Sequence, residues 1–112
     1  RVEHSLPTVV KKDGRREPFD RQKLLRSLQI ACNKRPVPAD RLDETAEALE
    51  RELGQSGEKE IVSRLIGEKV MERLKDLDEV AYVRFASVYR SFRDIDEFMA
   101  EMGKLVQSRA AQ

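Results

Sequence analysis

The Asp13-Gly14 pair, set between two extended runs, constrains this chain more than any other feature. Leu6-Pro7-Thr8-Val9-Val10-Lys11-Lys12 precedes it and Arg15-Arg16-Glu17-Pro18-Phe19 follows it. Asp-Gly in that setting predicts a tight type I′ hairpin, with positive φ at both central residues. Pro18 has no N–H for a ladder, so the second arm is a short edge piece. Asp20 then reads as the N-cap of a helix running to about Asn33, with Leu24, Leu25, Leu28 and Cys32 on one side. Pro36 and Pro38 end that helix and set the entry of the next.

Helical periodicity dominates the remainder. A second helix is expected over about Ala39 to Leu53, where Leu42, Ala46, Leu49 and Leu53 form one stripe. A third runs from about Val62 to Lys75 and should bury Val62, Leu65, Ile66, Val70 and Leu74. Asp78 caps a fourth over about Glu79 to Phe92, with Val80, Val83, Ala86 and Val88 apolar. Asp94 caps a fifth carrying Ile95, Phe98, Met102 and Leu105, and the polar end from Gln107 should fray. The expected class is α+β, mostly α: an N-terminal β-hairpin followed by a four- to five-helix bundle. The 112 residues suit one compact domain and leave no room for two good-sized cores.

Charge narrows the possible functions. Lys and Arg number 22 against 21 Asp and Glu, so no polybasic tail can be the main device. Locally the balance breaks: Val9 to Arg26 holds seven basic residues against three acidic, and Asp40 to Glu60 holds eight acidic against three basic. The hairpin and first helix therefore offer an anion site. Lys23 in the first turn of a helix conflicts with the helix dipole, and a bound anion would remove that conflict. Lys11 and Lys12 either join such a site or simply keep a hairpin edge solvated. One Cys (Cys32) and one His (His4) cannot form a zinc site or a disulfide within one chain. Phosphate-loop and dinucleotide glycine motifs are absent, as is a nucleophile–base set, which makes an enzyme active site improbable. Glu17 and Asp20 read as hydrogen-bond acceptors or a cap. No apolar run approaches the roughly 20 residues of a membrane span, so a soluble cytoplasmic domain is expected.

The fourth helix interleaves Tyr82, Phe85, Tyr89 and Phe92 with Arg84, Arg90 and Arg93. A core stripe is the ordinary meaning of such spacing, and Phe85 and Phe92 fit it. The polar tips of Tyr82 and Tyr89 need partners, which leaves either free to touch a ligand or a neighbouring subunit.

These residues carry a family resemblance. Val9 to Asp20 with Lys23-Leu24 resembles the opening motif of the ATP-cone, the nucleotide-sensing domain of ribonucleotide reductases. Lys34-Arg35-Pro36-Val37 and the run Leu77 to Phe92 are similar to the cone of the NrdR family, bacterial repressors of ribonucleotide reductase genes. The resemblance implies that ATP or dATP with Mg²⁺ binds here and sets the homo-oligomeric state. It places phosphate contacts on Lys11, Lys12 and Lys23 and the adenine-facing acid on Glu17. Val9 and Leu24 line the base pocket, Tyr89 faces the nucleotide, and Asp20 serves as a base contact or as the cap. By the same resemblance residues 9–98 form the cone, residues 1–8 are the end of a missing zinc ribbon with its linker, and residues 99–112 are the last helix end and tail. The family's Zn²⁺ and its contact with the DNA operator upstream of reductase genes belong to that ribbon. The cone of a reductase itself, or a ligand-free helical module, is the alternative reading.

Overall fold

The computed structural model describes residues 6–89. Phe92, the expected fifth helix and the tail lie outside them. Seven elements follow in order: β1 (Thr8–Val10), β2 (Arg16–Pro18), α1 (Arg21–Ala31), α2 (Ala39–Gln55), β3 (Glu60–Val62), α3 (Ser63–Leu77) and α4 (Glu79–Tyr89). The fold is α+β and mostly helical, four helices on a three-stranded sheet of order β2-β1-β3.

The hairpin forms where Asp-Gly predicts it, but with a different turn. Gly14 takes a φ of 89°, while Asp13 does not enter the positive region. The Gly14 amide donates to the Lys11 carbonyl at 2.9 Å, and the Lys11 amide donates to the Arg15 carbonyl at 2.8 Å. A three-residue loop with one left-handed glycine therefore replaces the two-residue type I′ turn. The cause is the Asp13 side chain. Its carboxylate accepts the Arg15 amide at 3.0 Å and Arg15 Nε at 2.8 Å, an Asx turn that keeps Asp13 in ordinary backbone space. Pro18 lies on the outer strand β2, where its missing donor is not needed.

β3 carries no hairpin or alternation signal of its own. It pairs in parallel with β1, matching Val9 with Ile61 and Val10 with Val62. On the other side β2 runs antiparallel, matching Val9 with Glu17. Arg16 Nε reaches Glu60 Oε2 at 2.5 Å and ties the two edge strands together.

The helices bury one contiguous core. The α2 stripe of Leu42, Ala46, Leu49 and Leu53 is buried throughout, as its spacing requires. In α3 the buried face is Gly67, Val70, Met71 and Leu74. Val62 and Leu65, expected inside, are 42% and 43% exposed. Leu65 precedes Gly67 by two residues, about 200° around the helix, so a face that includes Gly67 turns Leu65 outward. Val62 belongs to the edge strand β3 and not to the helix.

Two polar clamps join the helix ends. Asp78 caps α4 by accepting the Ala81 amide at 2.9 Å, and both of its oxygens accept Arg35 Nε at 3.0 Å. Arg84 donates to the carbonyls of Ala31 and Asn33 at 3.2 and 2.7 Å, closing the C-terminus of α1. Burial alone would push the Asp78 carboxyl up, but the Ala81 amide and the Arg35 guanidinium outweigh it and hold it below the usual aspartate value. A carboxyl depressed in this way adds stability above its unfolded value of about 3.9, and that stability is lost as pH falls through the lower folded value. Asp78→Asn should lower stability by about 1–3 kcal/mol at neutral pH, as expected for a weakened cap and a lost charged hydrogen bond. Urea melts across pH check this: the gap to wild type should close below about pH 4, and a pH-independent gap would contradict it.

Candidate functional site

A cavity of about 270 Å³ opens where the hairpin, the first turns of α1 and α3, and the end of α4 meet. Its apolar walls include Val9, Phe19, Leu24, Ile66, Val70 and Phe85. Its polar rim includes Lys11, Glu17, Asp20, Lys23 and Tyr89. Seven of the eight residues singled out from the sequence line this one space. The eighth, Lys12, lies in an adjoining groove of about 690 Å³, alongside Lys11, Arg64 and Tyr89.

Local structure explains the placement. In β2 successive side chains alternate, so Arg16 and Pro18 are exposed while Glu17 is half-buried opposite Val9. Asp20 precedes α1 in extended conformation, and its Oδ1 accepts the amides of Gln22 at 3.0 Å and Lys23 at 3.3 Å. Those two amides are thus already partnered within the chain, and Asp20 acts as the cap. The α1 first turn contains no acid, so Lys23 meets an unfavourable dipole.

Glu17 is the electrostatic centre of the rim. Its Oε1 accepts Lys23 Nζ at 3.1 Å and lies 3.7 Å from Lys11 Nζ. The hydrogen bond from Lys23 leads the causes that hold the Glu17 carboxyl below the usual glutamate value, with the charges of Lys23 and Lys11 assisting. The result is a rim with two ammonium groups around one carboxylate, at the mouth of an apolar hollow.

Tyr89 closes the far wall. Its ring stacks on Phe85, with centroids 5.8 Å apart and planes 18° from parallel, and its hydroxyl donates to the Arg64 carbonyl. The ring rests on Gly67, where a Cβ would stand 2.1 Å from Tyr89 Cε1. Sequence reasoning passed over Gly67 and Arg64. A glycine inside an otherwise apolar-periodic helix costs about 1 kcal/mol against alanine, and that mismatch is the signal that could have marked it.

Chemically, the arrangement suits ligand binding. Apolar walls suit a heterocycle, and ammonium groups suit phosphate. Comparison with known proteins agrees with that chemistry. The family model described as the ATP cone domain matches residues 7–95. A protein of Sorangium cellulosum named transcriptional repressor NrdR is 67% identical over 110 residues, covering 98% of this chain and 72% of that relative. The chain belongs to the NrdR family. A relative of the same name from Myxococcus xanthus is 61% identical over 112 residues, the whole of this chain and 67% of its own length. Another, from Syntrophotalea carbinolica, is 58% identical over 102 residues, 91% of this chain and 65% of its own length. The residues that line the cavity from Val9 to Tyr89 all fall within the matched stretch.

Replacing Gly67 by alanine should leave helix content unchanged by circular dichroism, because alanine favours the helix and the group it meets is a side chain and not backbone. The Tyr89 ring must move, so its NMR resonances should shift. Ring signals that stay at their wild-type positions would show that Gly67 is not its seat.

Proposed function

We propose that this cavity is a sensor site for adenine nucleotides, ATP and dATP, and that the chain is the regulatory part of a transcriptional repressor of ribonucleotide reductase genes. The observation that carries the reading is the joining of an apolar hollow to a rim where Lys11 and Lys23 surround Glu17. Membership of the cone family and the names of the relatives point the same way.

On this reading the donor set fits the ligand. Val9 and Leu24 take the base between them, Tyr89 bounds it, and Glu17 accepts from the adenine amino group. Guanine presents a carbonyl at that position and would repel the carboxylate. Lys11, Lys23 and, from the adjoining groove, Lys12 take the phosphates, on which Mg²⁺ arrives with its usual preference for phosphate oxygens. Asp20 shapes the site as the α1 cap. ATP and dATP differ by one hydroxyl, so telling them apart requires that the pocket either exclude the 2′-OH or hydrogen-bond it. A coupling of about 1–3 kcal/mol between that choice and subunit contacts would shift affinities roughly 5- to 150-fold. Val80 and Val88, 39% and 80% exposed on α4, offer those contacts apolar side chains. DNA binding upstream of reductase genes and its Zn²⁺ belong to a ribbon outside this sequence, and the whole acts in the cytoplasm. No helix among the described residues is long and apolar enough to cross a membrane.

Calorimetric titration tests the assignment. Lys11→Ala and Lys23→Ala should each weaken ATP about tenfold, the usual effect of losing one charged hydrogen bond, with the fold intact. Glu17→Ala should instead narrow the preference for ATP over GTP. Unchanged affinity in both lysine variants would defeat the reading, and an unchanged ATP-to-GTP ratio would remove Glu17 from the base.

A further inference from the structure

We propose that Glu17 is a built-in stand-in for phosphate, released from the two lysines when a polyphosphate arrives, so that the site reads the base only after the phosphates are in place. The inference rests on the nucleotide reading above and adds a regulatory step to it.

Both ammonium groups converge on a single oxygen. Lys23 Nζ lies 3.1 Å and Lys11 Nζ 3.7 Å from Glu17 Oε1, while Oε2 has no hydrogen-bond partner among the described residues. The two lysines come from different elements, one following β1 and one in α1, and meet only at this carboxylate. Glu17 thus occupies the position of an anion held between two cations. The other acids of the hairpin and cap are engaged elsewhere: Asp13 holds Arg15, and Asp20 holds the α1 amides.

The arrangement is easily exchanged. The side chains of Lys11, Glu17 and Lys23 are 31%, 32% and 65% exposed, and ion pairs of that kind are weak. A triphosphate carries more charge than one carboxylate and presents several oxygens, so flexible lysine stems turn to it at little cost. Glu17 then faces the hollow with neither cation beside it, and a desolvated carboxylate needs a donor. The amino group of adenine supplies one. In guanine the carbonyl leaves the carboxylate unpaired and repelled. A nucleoside without phosphates, by contrast, meets a Glu17 still engaged with lysine. Discrimination between adenine and guanine should therefore be large for the triphosphates and small for adenosine against guanosine.

The test uses the 112-residue chain with inorganic tripolyphosphate, ATP, GTP, adenosine and guanosine as titrants. Glu17→Gln should bind tripolyphosphate roughly two- to fivefold tighter than wild type, the range expected when an exposed ion pair no longer competes. Asp13→Asn, which removes the same charge from the same hairpin without freeing either lysine, should leave it unchanged. In the wild-type protein the Glu17 carboxyl ¹³C resonance should move on addition of tripolyphosphate, a readout that holds even if the variant folds poorly. An affinity for tripolyphosphate in Glu17→Gln that is equal or weaker, an equal gain in Asp13→Asn, a Glu17 resonance that does not move, or equal base discrimination with and without phosphates would each overturn the inference while ATP still binds. Failure of the wild-type protein to bind ATP would overturn the sensor reading itself, and this inference with it.

Discussion

The position of β1 between two strands of opposite direction governs the rest of the molecule. β2 runs back along it and delivers α1 beside the start of β1; β3 runs with it and delivers α3 beside its end. Two helices are thereby launched from opposite ends of a sheet only three residues deep, and the space between their first turns is the cavity. β1 is short enough that neither ladder alone would hold it. The Arg16–Glu60 pair spanning both edges and the amide of Thr8 donating to Lys59 at 2.9 Å reinforce the arrangement. A slip of β2 by one residue would turn Glu17 away from the cavity and Arg16 toward it. Register and site chemistry are thus one constraint.

The fourth helix completes the space and connects it to the body of the domain. Its start is fixed by Asp78 and Arg35, its middle by Arg84 on the end of α1, and its end by Tyr89 against Gly67. Tyr82, 2% exposed, anchors the buried side. Tyr89 thus ends the described part of a helix that is already braced at its start and middle. Val88, one residue earlier, faces solvent on the same helix.

Much of this was legible in the residues themselves. Asp-Gly marked the hairpin, Asp20 and Asp78 marked the helix starts, and the Leu42 to Leu53 stripe marked the α2 core face, because each is a local rule satisfied within a few residues. Seven of the eight candidate residues lie on one cavity because they sit on the hairpin, on the start of α1 that follows it, and on the end of α4. What stayed hidden was non-local or stereochemical. Glu60-Ile61-Val62 is a strand only because β1, about fifty residues earlier, offers an open edge. The phase of α3 depends on Gly67, which carries no apolar signal, so Leu65 looked buried and is not. The turn at Asp13 depends on where its carboxylate bonds, which residue type does not specify. Lys11 and Lys12 look equivalent in the sequence, yet only Lys11 lines both the cavity and the adjoining groove, while Lys12 lines the groove alone.

The proposed sensor stands or falls on an adenine nucleotide entering the hollow beneath the hairpin. Amide and side-chain NMR shift mapping of the labelled chain during an ATP titration tests it most directly. Saturable shifts should concentrate on Val9, Lys11, Glu17, Leu24, Gly67 and Tyr89, with the outer face of α2 unmoved. Shifts centred on α2, or none along the hairpin at saturating ATP, would contradict it.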